Sequence, residues 1–421
     1  VLRFERGDII GGLTTFLTVA YILVVNPAIL STEGTGISFS GAMTATVLLA
    51  ATMTLFMGLY ADLPFAVAPG MGINAFFTYT LILGKGIPWQ TALGMVFWSG
   101  ILFLLISITP VRVWMVKAVP KNLRIGAAVG IGLFLSFIGL RNGMVVKAHP
   151  ATFVTFAGWS PQLGLMLVSL FCTLILTIRH KPYAMLAGMG VATTAAFVLG
   201  YAVPPSEWIS APDLTSVMMQ LDIWGALKWS LAPAIVSLMC TDLFDSISTF
   251  IGVSQATGMT TKEGEPKGLY RGLIVDSFAT FAAGLLGTSA GTAYIESAAG
   301  IQAGGRTGKA SVITALCFVP CLFFAPLAGA IPPYATAAVL VLVGASMFSA
   351  VRHLNWENME DVLPAFITVM MIPLSFSITQ GIFWGMIVHV VSYLVAGRRR
   401  DLSPTLIIMA VGAVLLLSLE H

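Results

Sequence analysis

Charge is what this chain has least of. Only 9% of its 421 residues are Asp, Glu, Lys or Arg, against about 25% in soluble domains, which excludes a surface that faces mainly water. Histidine is also scarce: His149, His180, His353, His389 and His421 are scattered, and only His389 lies inside an apolar run. No His-Glu-x-x-His pair occurs, so no catalytic residue is expected and the chain does not read as an enzyme. Its four cysteines, Cys172, Cys240, Cys317 and Cys321, all sit in apolar runs. No histidine or carboxylate completes a metal set beside Cys317 and Cys321, so buried structural thiols and no metal or other cofactor are expected. The alternating ten-residue pattern of membrane barrels is missing. No cleavable leader is expected either, because Arg3, Glu5, Arg6 and Asp8 precede a first run without a small-residue cleavage pattern.

What is present is apolar sequence. Hydrophobic residues make up 57% of the chain and the mean hydropathy is +0.93. The runs suit helices that cross a hydrocarbon core of roughly 30 Å. The first half reads as spans 9–30, 41–60, 65–83, 89–109, 123–140, 162–178 and 184–203. The second reads as 229–255, 268–287, 290–303, 309–330, 334–350, 362–377 and 380–396. A further apolar stretch, 403–419, either crosses or lies at the interface. The expected fold class is thus an all-α polytopic membrane protein of fourteen spans plus a C-terminal apolar segment.

The basic residues follow membrane logic rather than nucleic-acid logic, although the net charge is +3. With these spans, Lys85, Arg141, Lys147 and Lys228 fall on one side and the remaining 17 of 21 Lys and Arg on the side of the N-terminus. That asymmetry predicts a cytoplasmic N-terminus in a plasma (cytoplasmic) membrane. The partners expected are a lipid bilayer and a small molecule, with no nucleic acid. The basic, proline-broken stretch Pro110 to Arg124 reads as an amphipathic segment on the membrane surface. Gly126-x₃-Gly130 and Gly139-x₃-Gly143 either pack helices closely within the chain or support a homodimer.

Seven spans followed by seven put the second half in the opposite membrane orientation, as an inverted repeat requires. Spans 3 and 10 hold matching places, and both are broken. The first reads Pro64-Phe-Ala-Val-Ala-Pro69-Gly70-Met-Gly72-Ile-Asn74-Ala-Phe-Phe, and the second Gly287-Thr-Ser-Ala-Gly291-Thr-Ala-Tyr294-Ile-Glu296-Ser-Ala-Ala-Gly300. Irregular backbone at membrane depth survives only where it is buried in protein or lines a cavity. Two half-helices are therefore expected, each preceded by a short extended piece, with their N-termini meeting near the midplane.

Carboxylates inside spans are costly and mark ligand or proton pathways. Asp242, Asp245 and Glu296 stand well inside spans 8 and 10, where no Lys or Arg accompanies them, and Asp276 lies nearer the end of span 9. Asp242 and Asp245, three apart, project from similar helix faces. Glu296 starts the half-helix of span 10, where a helix dipole favours an anion. Asn74 holds the equivalent place in span 3, where its amide offers a donor and an acceptor, or else satisfies local backbone. Phe76, Phe77 and Tyr294 supply flat faces for a ring.

These segments resemble the AzgA-like purine permeases of the nucleobase–ascorbate transporter group. The resemblance rests on Gly12-Leu-Thr-Thr-Phe-Leu-Thr-Val-Ala-Tyr-Ile-Leu-Val-Val-Asn-Pro27, on Pro69-Gly-Met-Gly-Ile-Asn-Ala-Phe-Phe77, on Asp242-Leu-Phe-Asp-Ser-Ile-Ser-Thr249, and on Ala293-Tyr-Ile-Glu-Ser-Ala-Ala-Gly-Ile301 with Gly304-Gly-Arg-Thr-Gly308. It implies fourteen helices in two inverted halves, a core moving against a gate, and import of adenine, guanine or hypoxanthine. It implies substrate contact from Asp245, Glu296 and Asn74, with Tyr294 and Ile295 on the strand before Glu296; Phe76 joins the candidate site as a flat face for the ring. One departure is Ser248, where members of the group more often carry glycine. The expected division is core 1–109 and 229–330, gate 110–203 and 331–396, with 403–419 outside both. Asp245, Glu296 and Asp242 are the candidates for coupling to a proton, with sodium as the alternative ion. Competing readings are a carrier of the same fold for uracil, xanthine or an inorganic anion, and a channel.

Overall fold

The computed structural model describes residues 4–109, 120–261 and 266–419. Helices occupy the places of all fourteen expected spans. The first span forms α1 (Arg6–Val19) and α2 (Ile22–Leu30), and the second α3 (Phe39–Phe56), which ends in a wide i→i+5 turn over Met57–Ala61. The third is interrupted, as its glycines and prolines predict. Strand β1 (Val67–Pro69) leads into α4 (Met71–Ala75) and a wide-turn helix over Phe76–Gly84. Then come α5 (Trp89–Ile108) and α6 (Lys121–Asn142). Much of the amphipathic segment expected from Pro110 to Arg124 lies outside the described residues; Lys121 to Arg124 open α6.

Between the fifth and sixth spans, where the sequence pattern predicts no element, β2 (Val146–His149) and β3 (Phe153–Phe156) form a hairpin. Helices α7 (Pro161–Ile178) and α8 (Ala184–Val198) complete the first half.

The second half repeats the order with α9 (Ala232–Thr257), α10 (Leu269–Leu286), β4 (Gly291–Ala293), α11 (Ser297–Gln302) and α12 (Gly308–Phe318). The eleventh span is split after α12 into 3₁₀ turns at Val319–Phe323 and a short helix, Ala325–Gly329. Pro320 and Pro326 lack the N–H that a continuous helix needs there. Helices α13 (Pro333–Phe348), α14 (Met359–Ser375) and α15 (Ile378–Val395) follow. The last apolar stretch is a helix, α16 (Pro404–Leu419), packed on α15. Among the described residues, nine helical segments are by themselves long and apolar enough to cross a bilayer, and shorter apolar helices accompany them.

The two halves meet where β1 pairs antiparallel with β4, in the register Val67↔Ala293, Ala68↔Thr292 and Pro69↔Gly291. A two-stranded ribbon has two unpaired edges, which cannot stand in lipid. Side chains close them. The Thr54 hydroxyl both accepts from Val67 N–H (2.9 Å) and donates to Val67 C=O (3.1 Å), and the Thr280 hydroxyl lies 3.1 Å from Gly291 C=O. Ser297 Oγ accepts from Ala66 N–H at 3.0 Å.

Glycine sets the closeness of the opening helix to the end of span 10. A Cβ on Gly11 would stand 2.4 Å from Gly305 Cα, and one on Gly300 2.4 Å from the Gly11 carbonyl oxygen. The glycine pairs of α6 are spent inside the chain: Gly126 lies against Ala365, Gly130 against Ile372, Gly139 against Ala337 and Leu340, and Gly143 against Met166. This is the packing use rather than the dimer use.

Candidate functional site

The crossing of β1 and β4 carries the candidate site, because each strand delivers a half-helix with a polar side chain near its start, Asn74 in α4 and Glu296 just before α11. On the span-3 side, Gly70 N–H bonds Ala290 C=O (2.9 Å) and Asn74 follows one turn into α4. Asn74 is fully buried; its Oδ1 accepts from the Ser289 hydroxyl, and its Nδ2 has no partner among the described residues. The side chain thus reaches the other broken span rather than its own backbone. Phe76 and Phe77, next along, are buried.

On the span-10 side, Tyr294 N–H bonds Ala66 C=O (2.9 Å) and its hydroxyl donates to Pro69 C=O at 2.5 Å. Tyr294 is therefore a cross-tie between the broken spans. Ile295 is 52% exposed. Glu296 immediately precedes α11 and is half-buried, and its Oε1 accepts from the Tyr21 hydroxyl at 2.8 Å.

Helix α9 packs against β4, α4 and α11, which brings its acids to the crossing. The two do not share a role. Asp245 is half-buried and within electrostatic reach of Glu296 and Tyr294. Asp242 is fully buried and receives the Thr280 hydroxyl from α10. One turn along the same helix pair, Ser246 donates to Asp276, also fully buried. The two antiparallel helices thus exchange an acid and a hydroxyl in each direction. Oδ1 of both Asp242 and Asp276 has no partner among the described residues. The Ser246 hydroxyl also lies 3.2 Å from that of Thr292, tying the exchange to β4. Ser248, the departure noted above, is exposed.

Two polar residues of the first span join the crossing that pattern reading does not single out. Tyr21 is one. The other is Asn26, fully buried, whose Nδ2 donates to Thr46 (2.7 Å) and Thr288 (3.0 Å) and whose Oδ1 has no partner among the described residues. An asparagine followed by Pro27 inside an apolar run was the available signal. An open apolar depression along Ala187 to Leu199, mostly on α8, is lined by no acid and lies outside this cluster.

The arrangement offers carboxylate acceptors and amide groups at the meeting point of two broken helices, with no Lys or Arg in spans 1, 3, 8 or 10. A family model described as "Permease family" (Xan_ur_permease) matches residues 6–384. The chain belongs to this family. Membership places the permease among transporters rather than enzymes.

Among similar proteins are the adenine permease AdeP of Escherichia coli (strain K12), 40% identical over 96% of this chain and 91% of the relative, and the guanine/hypoxanthine permease PbuO of Bacillus subtilis (strain 168), 36% identical over 96% and 95%. Of solved structures, the transmembrane domain of the cyanobacterial bicarbonate transporter BicA superposes with a TM-score of 0.68 at 17% identity, covering 91% of this permease and 98% of that domain. That likeness concerns the fold, an inverted repeat.

Proposed function

We propose that this permease imports purine nucleobases, adenine, guanine or hypoxanthine, across the plasma membrane by secondary active transport coupled to protons. The observation that carries the reading is the pair of half-buried carboxylates, Asp245 and Glu296, at the crossing of two broken helices without a basic partner among the described residues. Ring N–H and exocyclic NH₂ groups of a neutral purine are donors that carboxylates accept. An inorganic anion would meet like charge. The names of the relatives, adenine permease and guanine/hypoxanthine permease, support the same substrate class.

In this reading Asp245, Glu296 and Asn74 contact the ring edge, and Phe76, Tyr294 and Ile295 bound it. A proton on Asp245 or Glu296, with Asp242 behind them, accompanies the substrate; sodium is the alternative coupling ion. Spans 1–4 and 8–11 form the core and spans 5–7 and 12–14 the gate, with the N-terminus cytoplasmic. Packing supports the division: α1 lies on α11 and α12, and α10 on α3 and α5, whereas α6 packs on α13 and α14, and α7 on α8 and α13. Between the groups, Gly72 of α4 faces Ile131 of α6, and the Thr379 hydroxyl of α15 meets Ser237 of α9 at 2.5 Å. Alternating access then comes from movement of one group against the other.

Uptake of labelled adenine, guanine, hypoxanthine and uracil into proteoliposomes tests the proposal. Saturable purine uptake that rises when the outside is made acid is expected. Uptake of uracil alone, or of none of the four, contradicts it.

A further inference from the structure

The hairpin joining α6 to α7 has no part in the site. Its register is Val146↔Phe156, Lys147↔Thr155, Ala148↔Val154 and His149↔Phe153. Directly opposed residues share a face, and faces alternate along each strand. One face therefore carries Val146, Ala148, Val154 and Phe156, all apolar. The other carries Lys147, Thr155 and His149, with Phe153 beside the turn. The apolar face is uncovered: Val154 is 41% and Phe156 51% exposed, and Trp159, whose ring meets Phe156 edge-on at 6.0 Å, is 81% exposed. The turn is built rather than frayed, since the backbone N–H groups of Ala151 and Thr152 both donate to His149 Nδ1 at 3.3 Å.

An isolated two-stranded hairpin is marginal in water, and an uncovered apolar face needs an occupant. Chain continuity says which. The hairpin begins four residues after α6 ends at Asn142 and finishes five before α7 starts at Pro161. Both helices are long and apolar enough to cross. The backbone therefore leaves the hydrocarbon and re-enters it within a short span, next to the exposed Val168 and Phe171 flank of α7. The interfacial layer is roughly 5–8 Å deep on each side, whereas a four-residue strand is about 13 Å long. An upright hairpin would pass through that layer into water, and a flat one stays within it. Tryptophan at a helix entry is characteristic of this layer.

We infer that the hairpin lies flat in the bilayer–water interface, its Val146, Ala148, Val154 and Phe156 face sunk to the acyl boundary and Lys147 turned toward lipid headgroup phosphates. It fastens the α6–α7 helices to the lipid at one membrane surface. The test uses the full chain in phosphatidylethanolamine–phosphatidylglycerol vesicles, with Cys172, Cys240, Cys317 and Cys321 replaced by alanine and a nitroxide placed at Val154→Cys or Lys147→Cys. Collisions with lipid-soluble oxygen and a water-soluble nickel chelate are then compared. The oxygen-to-nickel ratio is expected to be several-fold higher at position 154 than at 147. Equal, nickel-dominated ratios would show a hairpin standing in water and overturn the inference. Labels shielded from both reagents would show a protein cover, such as a second copy, and overturn it too. A measurement that keeps the native cysteines is quenching of tryptophan fluorescence by bromine-labelled lipid. Trp159→Phe should remove part of the quenched emission, and an unchanged quenched fraction contradicts the inference.

Discussion

The hydroxyl of Tyr21 donates to Oε1 of Glu296 at 2.8 Å, joining the opening span to the tenth across 275 positions of sequence. This contact holds one oxygen of the carboxylate that, in the proposed function, meets the purine. Tyr21→Phe keeps the ring and removes the donor. A hydrogen bond to a charged group contributes about 1.5–3 kcal/mol, so the purine concentration for half-maximal uptake should rise about tenfold or more while the amount of inserted protein stays constant. Kinetics of labelled adenine and hypoxanthine uptake check it; an unchanged half-saturation removes Tyr21 from the site.

The exchange between α9 and α10 makes a prediction about stability instead. Thr280→Val takes the hydroxyl from buried Asp242, and Ser246→Ala takes it from buried Asp276. Each takes a hydroxyl donor from a buried carboxylate, at a cost of about 1–3 kcal/mol. Each should lower the thermal midpoint in detergent. In the double variant Thr280→Val with Asp242→Leu the stranded acid is gone, and much of the loss should be recovered.

Close packing of the first helix on the end of span 10 leaves no room for side chains. Gly11→Val or Gly300→Val would press a Cβ into backbone atoms, and overpacking costs about 1–3 kcal/mol or more. Size-exclusion profiles should show lost or aggregated protein. Gly164 of α7 has open space at the same position, so Gly164→Ala should leave the profile unchanged.

Outside the spans, Asp213 ties the loop after α8 to the start of α3. It accepts from the hydroxyls of Ser216 (2.6 Å) and Ser40 (2.8 Å) and from Ser216 N–H (3.1 Å). The Ser216 hydroxyl bond, then the other bonds, outweigh partial desolvation and hold its carboxyl down at about 2, against an ordinary 3.8. A depressed carboxylate stabilises the fold fully above its unfolded value and loses that contribution as pH falls through the folded one. The midpoint difference between the native chain and Asp213→Ala should therefore be constant above pH 4 and shrink between pH 4 and 2. Thermal melts across that range measure it.

Much of this was legible in residues alone. Pro69, Gly70 and Gly72 in span 3, and Gly287, Gly291 and Gly300 in span 10, announce broken helices because neither residue type suits a helix interior, and the structure places β1 and β4 there. Where pattern reading stopped is equally physical. Spacing of three placed Asp242 and Asp245 on similar faces, yet the neighbours that decide their surroundings, Thr280 and Glu296, come from other helices. Tyr21 and Asn26 were invisible for the same reason: a polar residue in an apolar run shows that a partner exists without naming it. The β2–β3 hairpin has strands too short for their alternation to stand out from a loop. The glycines of α6, open between a self-contact and a partner copy, were decided only by seeing Ala365, Ile372 and Ala337 against them.

In the proposed mechanism Asp245 and Glu296 act together on a neutral purine. The most direct measurement is labelled adenine and hypoxanthine uptake into proteoliposomes by the native chain, Asp245→Ala and Glu296→Ala, with reconstituted protein matched between samples. Saturable uptake by the native chain and none by either variant is predicted. Normal saturable uptake in either variant contradicts the account.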